Sequence, residues 1–129
     1  MSGFLLDTSV ALTATSNSAS LPGRVRKAIM RGPNYLSVVS FWEIVLKSMK
    51  GKLMVGEPRS WWEDTLHDLA ATPLTLRPKH VDQITRLPPM HQDPFDRVLI
   101  AQAITENLIF ITTDEEISRY AGERLHVLR

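Results

Sequence analysis

The chain reads as an α/β domain built on a mostly parallel central sheet. Its apolar runs, Phe4-Leu5-Leu6, Tyr35-Leu36-Ser37-Val38 and Leu108-Ile109-Phe110-Ile111-Thr112, are short and do not alternate strictly with polar residues, as strands covered on both faces do not. Segments of helical period separate these runs. No internal repeat recurs along the sequence, which excludes a solenoid or propeller.

The elements follow in order. Phe4–Leu6 is the first strand and stops at the polar turn Asp7-Thr8-Ser9. A brief helix over Val10–Ala14 leads to a Ser/Asn loop over Thr15–Ser20. Pro22, then Val25, Ala28 and Ile29, predict a helix that ends before Gly32-Pro33. Tyr35–Val38 is the second strand. Ser40 opens a helix with Trp42, Val45, Leu46 and Met49 on its apolar side, stopped by Gly51. Ser60 opens another, with Trp62, Leu66, Leu69 and Ala70 on one stripe, ended by Pro73. A short strand at Leu74–Leu76 and a small helix from Pro78 to Leu87 precede the Pro88-Pro89 break. Asp93 opens a largely apolar helix to about Asn107, and Leu108–Thr112 is the clearest strand. A helix from Asp114 to about Tyr120 and a final strand around His126–Leu128 complete the chain.

At 129 residues, 43% hydrophobic and 22% charged, the sequence supports one globular domain, 1–129, with a core of its own. Fifteen basic residues nearly balance fourteen acidic ones, so a nucleic-acid partner would have to use a local patch. There is no cysteine, which excludes disulfides and thiolate metal sites. No run approaches the ~18 apolar residues of a membrane span, and Met1–Asp7 lacks the basic start of a signal peptide. The cytoplasm is the expected compartment, with no membrane partner.

Asp7 and Asp114 stand where a parallel sheet gathers its ligands, at the carboxyl ends of strands, and Glu43 and Asp96 stand in the first turns of helices. Asp7 follows the first strand and is poorly placed as a helix cap, which favours a functional role. Glu43, taken alone, fits a capping box with Ser40 and an i,i+4 pair with Lys47. Asp93 fits an N-cap with Pro94 at the first helical position, and Asp96 divides evenly between cap and site. Asp114 divides the same way, with Thr113 as the candidate N-cap and Glu116 closing a box.

Together, the four carboxylates Asp7, Glu43, Asp96 and Asp114 can converge on one crevice. Like charges this close conflict unless a cation joins them. Carboxylate oxygens suit Mg²⁺, and histidine or cysteine clusters that would suggest zinc are absent. Such an ion suits phosphoryl chemistry. Lys47, Lys50, Lys52 and Arg97 are candidate phosphate contacts. For Lys50 and Lys52 a solvated helix end is the stronger reading, and Lys47 and Arg97 are better placed to order the acids by ion pairing. Ser9 and Thr113 are possible hydrogen-bond partners of the acids, and His91 reads as a loop histidine bonded to backbone. Trp62 fits the apolar stripe and is expected in the core. Trp61 is a candidate for a dimer or partner-protein interface, with ordinary partial burial the favoured reading.

Four motifs carry a resemblance. Leu5-Leu6-Asp7-Thr8, Ser37-Val38-Val39-Ser40-Phe41-Trp42-Glu43-Ile44 with Lys47 and Gly51-Lys52-Leu53, the block His91-Gln92-Asp93-Pro94-Phe95-Asp96-Arg97 with Leu99–Ala103, and Thr112-Thr113-Asp114 are similar, in order and spacing, to the acidic motifs of the PIN-domain endoribonucleases. The chain most resembles the VapC-type toxins of VapBC toxin–antitoxin pairs. The resemblance implies a PIN-like three-layer α/β/α fold with a short sheet, Mg²⁺ or Mn²⁺ as cofactor, and hydrolysis of RNA phosphodiesters. It implies Asp7, Glu43, Asp96 and Asp114 as catalytic and metal-binding residues, supported by Thr113, Asp93, Arg97 and Lys47. A cognate VapB-like antitoxin and a homodimer are the expected partners. The chain departs from many close relatives at Ser9, where they carry histidine. Two other classes compete: a non-catalytic PIN-like module that binds RNA or protein, and a receiver- or phosphatase-type domain with Asp7 as nucleophile. Asp7-Thr8-Ser9 lacks the Asp-x-Asp-x-Thr form of one such phosphatase family.

Overall fold

The computed structural model describes residues 2–88, 93–119, 122 and 124–129. Strands β1 (Phe4–Leu6), β2 (Asn34–Ser37), β3 (Ala71–Leu74), β4 (Ile109–Ile111) and β5 (Val127–Leu128) form one sheet in the spatial order β3-β2-β1-β4-β5. Every pairing is parallel, with Leu5 beside Tyr35 on one side and beside Phe110 on the other. Helices α1 (Thr8–Ser16), α2 (Gly23–Arg31), α3 (Val38–Met49), α4 (Pro58–Asp68), α5 (Pro78–Ile84), α6 (Pro94–Glu106) and α7 (Glu115–Ser118) connect and cover the strands. Among the described residues no helix is long and apolar enough to cross a membrane.

The period of the strand divides the core into two. Phe4 and Leu6 point to one face and pack with Val25, Ala28, Leu36 and Trp61 beneath α1, α2 and α4. Leu5 points to the other and packs with Leu99, Ile100, Ala103 and Phe110 beneath α6. The result is three layers, α/β/α, as the resemblance implies.

Several boundaries differ from the sequence reading, each for a local reason. Helix α1 begins directly after Asp7 and runs to Ser16, because no breaker interrupts Thr8–Ser16. Strand β2 ends at Ser37, whose hydroxyl accepts the Val39 N–H at 3.0 Å, so Ser37 and not Ser40 caps α3. Gly51 follows α3 at φ +69°, a conformation that favours glycine, as expected of a helix stop. Pro58 starts α4 two residues before Ser60. Pro73 lies inside β3 rather than ending a helix. It is tolerated because β3 is an edge strand, with no neighbour on its outer side. The tryptophans exchange roles: Trp61 is in the core and Trp62 is half-buried. Tyr120 lies outside the described residues, and α7 ends at Ser118.

A buried histidine clamps α5 to α6. His80 Nδ1 accepts the Arg77 N–H at 3.0 Å, which leaves Nε2 to donate to Glu106 Oε2 at 2.6 Å. Lys79 Nζ lies 3.2 Å from the same oxygen. Burial pushes the Glu106 carboxyl up, but the hydrogen bonds and charges of His80 and Lys79 together outweigh it and hold the group below its ordinary 4.5. A depressed carboxyl contributes stability above its unfolded pKa and loses it as pH falls through the folded value. Glu106→Gln should therefore lower the urea midpoint at neutral pH, by about 1–3 kcal/mol of stability. The deficit should shrink as pH falls through the folded value, below which both proteins lack the charge. Urea unfolding at neutral and acid pH checks this, and a deficit independent of pH would refute it.

Candidate metal and nuclease site

The site forms where the central strands end. Asp7 follows β1 with its N–H bonded to the Ile111 carbonyl at 2.9 Å, so it continues the β1–β4 ladder by one residue. It occupies the N-cap position of α1, yet its side chain makes no capping hydrogen bond. The carboxylate is directed instead to Thr112, whose Oγ1 donates to Oδ2 at 2.7 Å. Ser9 Oγ approaches the same oxygen at 3.5 Å. Asp7 is only 5% exposed. Burial pushes its carboxyl up, and the Thr112 hydrogen bond pulls it down. The charges of Glu43 and Asp114 push it up again, and it lies above its ordinary 3.8.

Glu43 comes from the second turn of α3. With the cap moved to Ser37, the capping-box reading of Glu43 is overturned. Ser40 is fully buried and its hydroxyl pairs with Thr8 at 2.8 Å, which ties α3 to the start of α1. Glu43 is 4% exposed, and its Oε2 meets Lys47 Nζ at 2.7 Å. Among the described residues Oε1 has no hydrogen-bond partner. A buried carboxylate oxygen left in this state is costly unless something else fills its coordination. The hydrogen bond to Glu43 raises the pKa of Lys47. Partial burial lowers it, and the charges of Glu43, Asp93 and Asp96 raise it further.

Asp93 is the N-cap of α6. Its Oδ1 accepts from Phe95 N at 2.9 Å and from Asp96 N at 3.4 Å, with Pro94 at the first helical position. Asp96 sits partly buried in the first turn, and Arg97 beside it is half-buried. Asp114 is itself the N-cap of α7, accepting from Glu116 N at 2.8 Å, so the cap assigned to Thr113 is overturned. Thr113 is exposed. Thr112 donates to Asp7 and accepts the Asp114 N–H at 3.1 Å. His91 lies outside the described residues.

Asp7 thus feels Glu43 and Asp114, and Lys47 feels Glu43, Asp93 and Asp96. Among the described residues no three Asp, Glu or His side chains are gathered as a ready-made metal cage. The donor chemistry nevertheless fits a hard cation: oxygens only, one buried and unsatisfied, beside an aspartate whose charge is opposed by its neighbours.

The sequence profile of the PIN domain matches residues 4–123. The chain belongs to the PIN-domain family. Solved structures of similar fold include VapBC2 from Rickettsia felis bound to a DNA fragment from its promoter. That match has TM-score 0.73 and 15% identity, covering 99% of this chain and 98% of that one. DNA-bound VapBC from Salmonella typhimurium matches with TM-score 0.69 at 16% identity, over 98% of both chains. VapBC-5 from Mycobacterium tuberculosis, of a family of toxin–antitoxin systems, matches with TM-score 0.63 at 20% identity, over 99% and 98%. At these identities the likeness establishes a shared fold. No curated protein matches the chain. As a PIN domain it carries its acids on the strand-end turns and helix starts described above.

The raised Asp7 carboxyl has a consequence for stability. A carboxyl whose folded pKa is raised keeps its full stability below the unfolded pKa and loses it as pH rises through the folded value. Asp7→Asn should therefore raise the melting temperature of the metal-free protein at neutral pH by a few degrees. A thermal scan in EDTA measures this, and a lowered midpoint would contradict the cost assigned to burying the Asp7 charge.

Proposed function

We propose that this PIN domain is a metal-dependent endoribonuclease toxin, held in check by a cognate VapB-like antitoxin. The observation that carries the reading is the pairing of a buried Asp7, opposed by Glu43 and Asp114, with the unsatisfied Oε1 of Glu43. These are acids that a cation would relieve. Asp7, Glu43, Asp96 and Asp114 would hold Mg²⁺, or Mn²⁺ in its place. When bound, such an ion stabilises charge on phosphate oxygens and lowers the pKa of a coordinated water. The chain supplies the rest. Thr112 fixes the Asp7 carboxylate, Asp93 fixes the start of α6 that presents Asp96, and Glu43 orients the attacking water. Lys47 neutralises one oxygen of Glu43, and Arg97 assists in ordering the acids.

The toxin reading is supported by membership of the PIN family and by the fold shared with proteins solved in VapBC complexes. RNA is the substrate, the working form a homodimer and the compartment the cytoplasm. Incubation of the full chain with end-labelled RNA should give cleavage with Mg²⁺ and none with EDTA. Asp7→Asn, Glu43→Gln, Asp96→Asn and Asp114→Asn should each reduce the rate by more than about 100-fold, beyond the loss expected for an outer-shell partner of a metal. Circular dichroism should remain that of the parent. Undiminished cleavage by Asp7→Asn would sink the assignment.

A further inference from the structure

The chain has three tryptophans, and they occupy three environments. Trp61 is 9% exposed in the core, and Trp62 is half-buried and stacks on Phe41 with ring centroids 5.1 Å apart. Trp42, expected on the apolar stripe of α3, is 53% exposed. Among the described residues its ring contact is Phe95, at 5.0 Å and an interplanar angle of 79°. This edge-on contact fixes the indole and leaves half of the side chain in solvent.

The placement of the pair is informative. Trp42 directly precedes Glu43 on α3, and Phe95 directly precedes Asp96 on α6. The aromatic pair therefore bridges the two helices that carry those acids. Phe95 also walls an open cavity of about 350 Å³ lined by Lys47, Lys50, Lys52 and Asp93. Lys47 is paired with Glu43, and Lys50 and Lys52 outnumber Asp93, so the trough keeps a positive excess. An aromatic ring beside such a trough is a combination that binds single-stranded nucleic acid, with bases on the ring and phosphates on the lysines.

We propose that Trp42, braced by Phe95, is a base-stacking subsite. A nucleobase of single-stranded RNA next to the scissile phosphate stacks on the indole, and Lys50 and Lys52 take adjoining phosphates. This rests on the ribonuclease reading above. The competing occupant is a second copy of the chain, since Val38 and Met49 are also exposed on α3. Charge decides between them. Lysine is depleted from protein interfaces because its ammonium desolvates badly, whereas phosphates complement it.

The test uses the full chain in EDTA, so that strands bind without being cut. A short single-stranded RNA should quench tryptophan emission, and an abasic strand with the same phosphates should not. Trp42→Ala should weaken RNA binding roughly tenfold, and Trp42→Phe should retain most of the affinity while losing the quenching. Lys50→Ala and Lys52→Ala should each lower the salt slope of binding by about 0.7. Circular dichroism guards against misfolding. If the parent cleaves RNA but Trp42→Ala binds it equally, or the abasic strand quenches as well, the subsite is wrong while the ribonuclease reading stands. If the parent neither binds nor cleaves RNA, both fall. A Trp42→Ala variant that turns from dimer to monomer with unchanged RNA affinity would assign the face to a second copy.

Discussion

Burial of the Asp7 carboxylate at the end of the central strand is the constraint around which the rest of the site is arranged. Strand β1 has parallel neighbours on both sides, so the residue after it lies in a crevice roofed by turns and helix starts. Water cannot solvate a charge there freely. Thr112 answers with a hydroxyl, and that hydroxyl also accepts the amide of Asp114, so one side chain locks the ends of β1 and β4 together. On the other side, Thr8 and Ser40 join the helices that follow β1 and β2. The acids are thus held by short polar links between elements, and their mutual repulsion is not relieved by those links.

Lys47 answers the same repulsion differently. It neutralises Glu43 from one turn along α3 and also feels Asp93 and Asp96. Lys47 meets one oxygen of Glu43, and among the described residues the other oxygen has no hydrogen-bond partner. The far side of the molecule handles a similar problem to completion: Glu106 meets His80 and Lys79, and its carboxyl is held low. The contrast separates a carboxylate whose partners serve the fold from carboxylates whose partners leave work undone.

Much of this was legible in the residues. The short apolar runs gave parallel strands, Asp93-Pro94 gave the start of α6, and Asp7 was recognisable because the residues after it make no good capping box. Helix phase was not legible. Both Ser37 and Ser40 are credible caps, and only the end of β2 decides for Ser37. That choice removes Glu43 from the first turn. The adjacent Trp61 and Trp62 pose the same difficulty, because a periodic pattern cannot say which of two neighbours faces the sheet. Thr112 was missed because its partner is set by strand order. Residues 7 and 112 meet only when β4 is known to lie beside β1. Trp42 resisted for a further reason: an aromatic at helical spacing reads as core, and its neighbours in space come from α6.

The proline in β3 and the brevity of β5 have a joint consequence. These two strands are the margins of the sheet, and each is poorly suited to accept another strand: one interrupts its own run of N–H groups, and the other offers two residues. Among the described residues both margins thereby disfavour pairing with a further strand. Side chains on the helices and turns are the surfaces they leave for recognition. Recognition is in that way separated from the scaffold, and the helical surfaces are free to change without disturbing the sheet that aims the acids.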